Sequence, residues 1–331
     1  MSPGPLGVAF ADPALEASIR AGLQQIEQAL HEAVSSDDEF VAGTAGHLMH
    51  AGGKRFRPLV SLLAAHFGDP ARPEVIPASV VVELTHLATL YHDDVMDEAT
   101  VRRGAESANA RWDNTVAILT GDFLFSRASN LLADLGPYAV RLQARTFERL
   151  VTGQIHETVG PAEGADPIEH HLAVLADKTG SLIATAAEFG AHFAGVDLTV
   201  TEQLRAYGEQ IGVAFQLSDD IIDIASESVE SGKTPGTDLR EGIATLAVLY
   251  ALESNDPREA QLRELVSHPL IDDREHAQAL ALLRYSAAIG QARDTLHTYA
   301  EAARASLAPL PDVPARAALE ALTDLVIART G

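Results

Sequence analysis

Asp93-Asp94-Val95-Met96-Asp97 and Asp219-Asp220-Ile221-Ile222-Asp223 share the pattern D-D-x-x-D, and each closes a strongly apolar run. On a helix, residues i and i+4 differ by about 40° in azimuth, so Asp93 pairs with Asp97 and Asp219 with Asp223 on one face. A solvated acidic surface is the ordinary fate of such runs. Asp is a poor helix-interior residue, however, and like charges one turn apart repel, so a cluster inside an apolar run costs stability unless a cation offsets it. Two clusters with open positions suit Mg²⁺, which takes a few carboxylates, keeps several waters and accepts oxygens from a substrate phosphate. Cations held there neutralise charge growing on a departing diphosphate, which is ionisation chemistry.

Basic residues fall at a few defined places: Lys54, Arg55 and Arg57 within Gly53-Lys54-Arg55-Phe56-Arg57-Pro58, then Arg102-Arg103, then Lys178. In isolation each reads as a surface charge. Arg102 and Arg103 are expected one to two turns beyond Asp97, where guanidiniums hold phosphate oxygens in bidentate fashion. Lys54 and Arg57, at i and i+3, share a helical face and form a second, metal-free diphosphate site. His86 lies two turns before Asp93 on the same face and is placed to donate to a phosphate; a satisfied core histidine is the plain alternative.

The chain has 331 residues, 47% of them hydrophobic, and no uninterrupted apolar run near the length of a membrane span. One soluble all-helical domain is expected over residues 13–331, preceded by a flexible tail over 1–12 that shows neither a secretory nor a transit signal, so the cytoplasm is the expected location. With no cysteine, disulfides, thiolate nucleophiles and Cys-ligated metals are excluded, leaving carboxylates and His as ligands for a hard cation. A formal net charge of -23 repels nucleic acid and anionic membrane surfaces. A polyanionic substrate therefore needs intervening cations.

Helical periodicity runs through Leu15 to Ala33, Val75 to Met96, Val116 to Leu135 and Thr201 to Ile224. Breaks are expected at Gly68-Asp69-Pro70, Leu135-Gly136-Pro137, Gly160 to Pro167, Ser231 to Gly236 and Ala308 to Pro314. Strand alternation and tandem repeats are absent, and Gly52-Gly53-Lys54-Arg55 has neither the spacing nor the preceding strand of a phosphate-binding loop.

In the order Gly52-Gly53-Lys54-Arg55-Phe56-Arg57-Pro58, His92 to Asp97 followed by Arg102-Arg103-Gly104, Gly121-Asp122-Phe123-Leu124, Lys178-Thr179-Gly180, Phe215-Gln216 with Asp219 to Asp223, and Gly232 to Asp238, the chain resembles the trans-isoprenyl diphosphate synthases, or polyprenyl synthetases. The likeness spans roughly residues 40 to 250. It implies the isoprenoid synthase fold, a bundle of long antiparallel helices around a central apolar cavity. It also implies Asp93, Asp97 and Asp219 as Mg²⁺ ligands, with Asp94, Asp220 and Asp223 in support and three ions around the bound allylic diphosphate. Lys54, Arg57, His86 and Arg103 are implied to bind isopentenyl diphosphate. Arg102, Lys178, Thr179, Gln216 and Lys233 are implied to bind the allylic diphosphate or steady its cation. Many relatives carry a lysine where Ile243 stands in Glu241-Gly242-Ile243.

The implied chemistry is Mg²⁺-assisted loss of diphosphate, attack by the isopentenyl double bond and loss of a proton, with no protein nucleophile. A homodimer is implied too, with a peripheral membrane contact for product release. A class I terpene cyclase needs no second diphosphate site and carries a different second metal motif, and a silent partner subunit does not require both clusters intact. Product length is read from the run before Asp93. Short-chain relatives place an aromatic residue four or five positions before the first Asp, where this chain has Thr89 and Ala88. A helix turn of about 5.4 Å matches one isoprene unit, so the open run predicts a floor elsewhere, such as Phe147, and a product of roughly seven to ten units, with geranylgeranyl diphosphate as the alternative.

Overall fold

The computed structural model describes residues 7–225 and 235–330. Its helices are α1 (Pro13–Val34), α2 (Glu39–His50), α3 (Phe56–Ala65), α4 (Val75–Met96), α5 (Ala108–Arg111), α6 (Asn114–Leu135), α7 (Pro137–Val159), α8 (Pro167–Leu175), α9 (Ser181–Phe193), α10 (Leu198–Ala225), α11 (Thr237–Glu241), α12 (Leu246–Glu253), α13 (Ala260–Leu265), α14 (Asp273–Arg284), α15 (Ala287–Leu307) and α16 (Pro314–Ala328). Helices are interrupted at each of the expected breaks over 68–70, 135–137, 160–167 and 308–314, the second by Gly136 alone, and the break expected at Ser231 to Gly236 lies largely outside the described residues. Gly and Pro act there as punctuation: Pro137, Pro167 and Pro314 open helices, where a missing N–H costs nothing.

Contacts group the chain into two compact units, one of Met1–Glu148, Leu182–Gly208 and Ser306–Leu322, the other of Arg149–Ser181, Glu209–Ala305 and Thr323–Gly331. In the first, α1 starts where Asp12 accepts from Ala14 N and Leu15 N at 2.7 and 3.0 Å, and it buries the stripe Leu15, Ile19, Ile26 and Leu30. α4 is apolar on nearly all sides and accordingly mostly buried between Val75 and Ala88, His86 being half-buried, with Tyr91 and Asp94 enclosed beyond. Tyr91 O–H donates to Thr44 O at 2.5 Å and accepts from Leu48 N at 3.2 Å, which ties α2 to α4 just before the aspartates. α6 lies against α4 at Gly121, where a Cβ would overlap the His92 ring and stand 3.1 Å from Ala88 O.

In the second unit α10 packs on α16 with Ser218 Oγ donating to Val326 O at 3.0 Å, and Arg284 on α14 donates to Ile224 O at 2.7 Å. Among the described residues no helix is long and apolar enough to cross a membrane.

Candidate active site

The first aspartate cluster ends α4. Asp93 is half-buried, Asp94 is fully buried, and Asp97 is the exposed C-cap, its N–H bonded to Asp93 O at 2.8 Å. The helix does not continue to the arginines as expected. Glu98 takes φ 50°, and the chain turns into a two-residue-per-strand hairpin, β1 (Val101–Arg102) with β2 (Ala105–Glu106). Arg103 at φ 55° and Gly104 at φ 76° form its turn, the pair of positive φ values that a two-residue hairpin needs. Pairs this short leave no alternation to read in the sequence. Successive residues point to opposite sides there, so the hairpin splits the arginine pair. Arg102 returns to the cluster, with Nε 2.6 Å from Asp94 Oδ1 and Nη2 3.6 Å from Asp97 Oδ2. Arg103 turns away and donates from Nη1 to Leu48 O at 3.0 Å and to Gly52 O.

Lys54 and Arg57 do not share a helical face. Arg55 adopts a left-handed conformation, φ 51°, that starts α3 at Phe56, so Lys54 stays exposed in the preceding loop while Arg57 lies in the first turn. Arg55 is committed elsewhere: it grips Glu27 through Nε and Nη2 at 2.8 and 2.9 Å and reaches buried Glu83 from Nη1 at 3.1 Å. Arg57 Nε is buried with no hydrogen-bond partner, and burial pushes this guanidinium down to about 10, still charged at neutral pH. Burial and then the charges of Arg57 and Arg103 hold His86 well below the usual histidine range, so it is a neutral donor and acceptor. Arg57 and Arg103 thus lie near enough to neutral His86 for their charges to act on it, and the two guanidiniums with the imidazole N–H can receive a polyanion without a metal.

In the second unit α10 carries Gln216, Asp219, Asp220 and Asp223, all half-buried. Burial, reinforced by the charge of Asp238 and of Asp219 and Asp223, pushes Asp220 up to about 8, against a hydrogen bond of 3.0 Å from Gln216 Nε2. Asp219 pairs with Arg329, whose guanidinium also lies 5.1 Å from the Phe215 ring centroid. Thr179 and Lys178 sit in a π-helical turn, Ala176–Gly180, inserted between α8 and α9; such single turns commonly mark sites where side chains are re-aimed. Thr179 Oγ1 reaches Gln216 Oε1 at a long 3.4 Å, and Lys178 Nζ pairs with Glu157 at 2.5 Å. Lys233 lies outside the described residues.

The donor set fits a hard divalent cation. Asp94 Oδ2 is buried with no hydrogen-bond partner, and burial together with the charges of Asp238, Asp219 and Asp223 disfavours the Asp220 carboxylate, a strain that a bound cation would relieve. Among the described residues no three His, Asp or Glu side chains converge on one point.

Residues 38–283 match the family model described as Polyprenyl synthetase. The chain belongs to this family. It is 52% identical, over 98% of its length and 97% of the relative's, to the nonaprenyl diphosphate synthase of Mycobacterium tuberculosis. The geranylgeranyl pyrophosphate synthase of Corynebacterium glutamicum, solved in complex with calcium and isoprenyl diphosphate, superposes with a TM-score of 0.88 at 49% identity, covering 98% of this chain and all of that one. A decaprenyl diphosphate synthase from Rhodobacter capsulatus gives a TM-score of 0.85 at 31% identity, covering 96% and 99% of the two chains. This polyprenyl synthetase is therefore a prenyltransferase with the isoprenoid synthase fold.

Sequence reasoning missed three groups. Arg329 follows the last helix, far from any motif; the only signal was a cation at the end of an acidic chain. Glu83 is the one acid between Val75 and His92, and a lone carboxylate in such a run has to find a buried cation. Gly153 on α7 admits the π-helical turn: a Cβ there would stand 2.9 Å from Lys178 N and 3.0 Å from Asp177 Cβ. Backbone cannot yield as a side chain does. Gly153→Ala is expected to cost about 1–3 kcal/mol and, by displacing Lys178 and Thr179, to lower kcat/KM of this polyprenyl synthetase by about tenfold or more. Thermal melting and steady-state kinetics check this, and wild-type values in both would show that the turn adapts.

Proposed function

We propose that this chain condenses isopentenyl diphosphate with an allylic diphosphate, repeatedly, to give a long-chain all-trans polyprenyl diphosphate. The observation that carries this reading is the pairing, along one helix, of a metal-free cationic cluster at His86 with a carboxylate cluster at Asp93 to Asp97. Two anionic substrates need two kinds of anion site.

Asp93, Asp97 and Asp219 hold Mg²⁺, with Asp94, Asp220 and Asp223 in support and three ions in the loaded enzyme. Bound there, the ions supply charge neutralisation for the departing diphosphate. Lys54, Arg57, His86 and Arg103 hold isopentenyl diphosphate, His86 as a neutral N–H donor. Arg102, Lys178 and Lys233 hold the allylic diphosphate, while Thr179 and Gln216 turn oxygen dipoles toward the allylic cation. Ile243 is 41% exposed and offers no charge in place of the relatives' lysine, which leaves that role to Lys233.

The length reading is supported by the 52% identity to a nonaprenyl synthase and by small residues at Ala88 and Thr89. Geranylgeranyl diphosphate is the second reading, favoured by the Corynebacterium structure at 49% identity. We place the enzyme in the cytoplasm as a single catalytic domain over residues 13–331. A homodimer is supported by Leu119, Val151, Ile155 and Val159, which stay exposed on α6 and α7; light scattering that finds an active monomer would refute it. A peripheral membrane contact then serves to unload the product.

Incubating the purified chain with Mg²⁺, isopentenyl diphosphate and a series of allylic primers, then separating the dephosphorylated products, tests the whole reading. Within it, Arg57→Ala is expected to raise KM for isopentenyl diphosphate by about 10²-fold with little change for the allylic substrate, and Arg102→Ala to show the opposite bias. Equal effects on both constants in both variants would argue against two distinct sites.

A further inference from the structure

Glu83 is 2% exposed, and its carboxylate lies among arginines. Arg55 Nη1 stands 3.1 Å from Glu83 Oε1. The same Nη1 and Arg103 Nη1 both close on Gly53, where a Cβ would be 2.5 and 3.0 Å from them, so the two guanidiniums and Glu83 share one small volume. The charge of Glu83 also favours the charged forms of Arg57 and Arg103 against the burial that opposes them. Glu27 engages Arg55 from the other side and is half exposed. Glu83 is therefore the buried anion that faces the proposed diphosphate cluster from within α4.

An isolated buried cluster of cations is costly, and a single fixed carboxylate relieves it while also competing with any incoming anion. That competition has a use in a repeating reaction. Each condensation breaks the allylic C–O bond, forms a C–C bond to the isopentenyl unit, and releases diphosphate and a proton. The product thus carries the diphosphate that entered as isopentenyl diphosphate. Before the next round that diphosphate has to leave the cationic cluster and become the leaving group. Resting on the functional reading above, we infer that Glu83 is the resting counter-ion of the isopentenyl diphosphate site, a positioning residue that holds the arginines in the empty enzyme and weakens their grip enough for the elongated diphosphate to depart.

The isosteric variant Glu83→Gln tests this, because the amide keeps the volume and an acceptor for Arg55 while removing one buried negative charge. Calorimetric titration with isopentenyl diphosphate, without Mg²⁺ or allylic substrate, is expected to show about tenfold tighter binding than wild type, the size of effect that one charge exerts at short range in a partly screened site. In steady state, KM for isopentenyl diphosphate and kcat fall together, since release has become slower while capture has not. Recovery of folded variant only in the presence of inorganic pyrophosphate is equally the expected result, as an anion then replaces the missing charge. Unchanged or weaker binding, or a variant that stays unfolded with pyrophosphate, overturns the inference. A wild-type chain that fails to bind isopentenyl diphosphate in the same titration removes the site itself and the inference with it, so the two failures are told apart by the wild-type control.

Discussion

Asp93→Ala, Asp97→Ala and Asp219→Ala each lower kcat by at least about 10³-fold, equivalent to roughly 4 kcal/mol of barrier, because each removes an anchor for the cations that stabilise departing diphosphate. Their folded states should respond differently from their activities. Asp93 and Asp97 lie one turn apart at the end of α4; Asp97 is exposed and its pair with Arg102 at 3.6 Å is a weak surface one, so removing either carboxylate relieves repulsion without leaving a buried hole. Their melting temperatures are expected at or above the wild-type value in the absence of metal. Asp94→Ala should behave otherwise. Its carboxylate is fully enclosed and bonded to Arg102 at 2.6 Å, so truncation strands a half-buried guanidinium and costs about 3 kcal/mol of stability as well as activity. Manganese binding followed by electron paramagnetic resonance, together with melting curves, separates the two classes. Near-wild-type turnover in any one of the three alanine variants sinks the metal assignment, and an Asp94→Ala variant as stable as wild type would show that the pair with Arg102 is immaterial to the fold.

That contrast also shows where the sequence was readable and where it was not. α4 is expected from Val75 to Met96 and is found there, because a long stretch of helically spaced apolar residues between a Pro-rich break and an acidic one admits one reading. The helices opened by Pro137, Pro167 and Pro314 are equally local in origin. What escaped prediction depends on single backbone conformations or on contacts across long separations. A left-handed residue at Arg55 detaches Lys54 from the helix of Arg57, and left-handed Glu98 and Arg103 convert an extrapolated helix into a hairpin; non-glycine residues give no compositional warning of this. Arg329 pairs with Asp219 from 110 residues away. The π-helical turn at Ala176–Gly180 depends on Gly153 of another helix and could not be read from its own five residues.

Product length depends on a different sector of α4. At about 100° per residue, Val81, Thr85, Ala88 and His92 fall within roughly 60° of one another, about a quarter turn or more from the Asp93 face. Their contacts fix what that sector meets: Thr85 accepts from Gln143 Nε2 of α7 at 2.8 Å, Ala88 O approaches Gly121 of α6, and the His92 ring lies 5.7 Å from Phe125, which meets Phe147 edge to face at 4.7 Å. Ala88 itself is fully buried. Two outcomes of Ala88→Tyr are therefore distinguishable. If the sector is close-packed core, a phenol ring overpacks it, lowers stability by about 1–3 kcal/mol and leaves product length alone. If it lines the space taken by the growing chain, the ring fits where isoprene units would lie, and elongation stops early. The second outcome is expected: a melting temperature close to wild type, a first condensation at nearly wild-type rate, and products shortened from about seven to ten units to about three or four. Thr89→Phe, on the half-buried neighbouring position, should shorten the product less, because its side chain leans toward the Asp93 face. Chromatography of the dephosphorylated products reads both variants. An unchanged distribution in Ala88→Tyr together with lost stability would assign this sector to the core, and a wild-type product of three units or fewer would refute the long-chain reading at once.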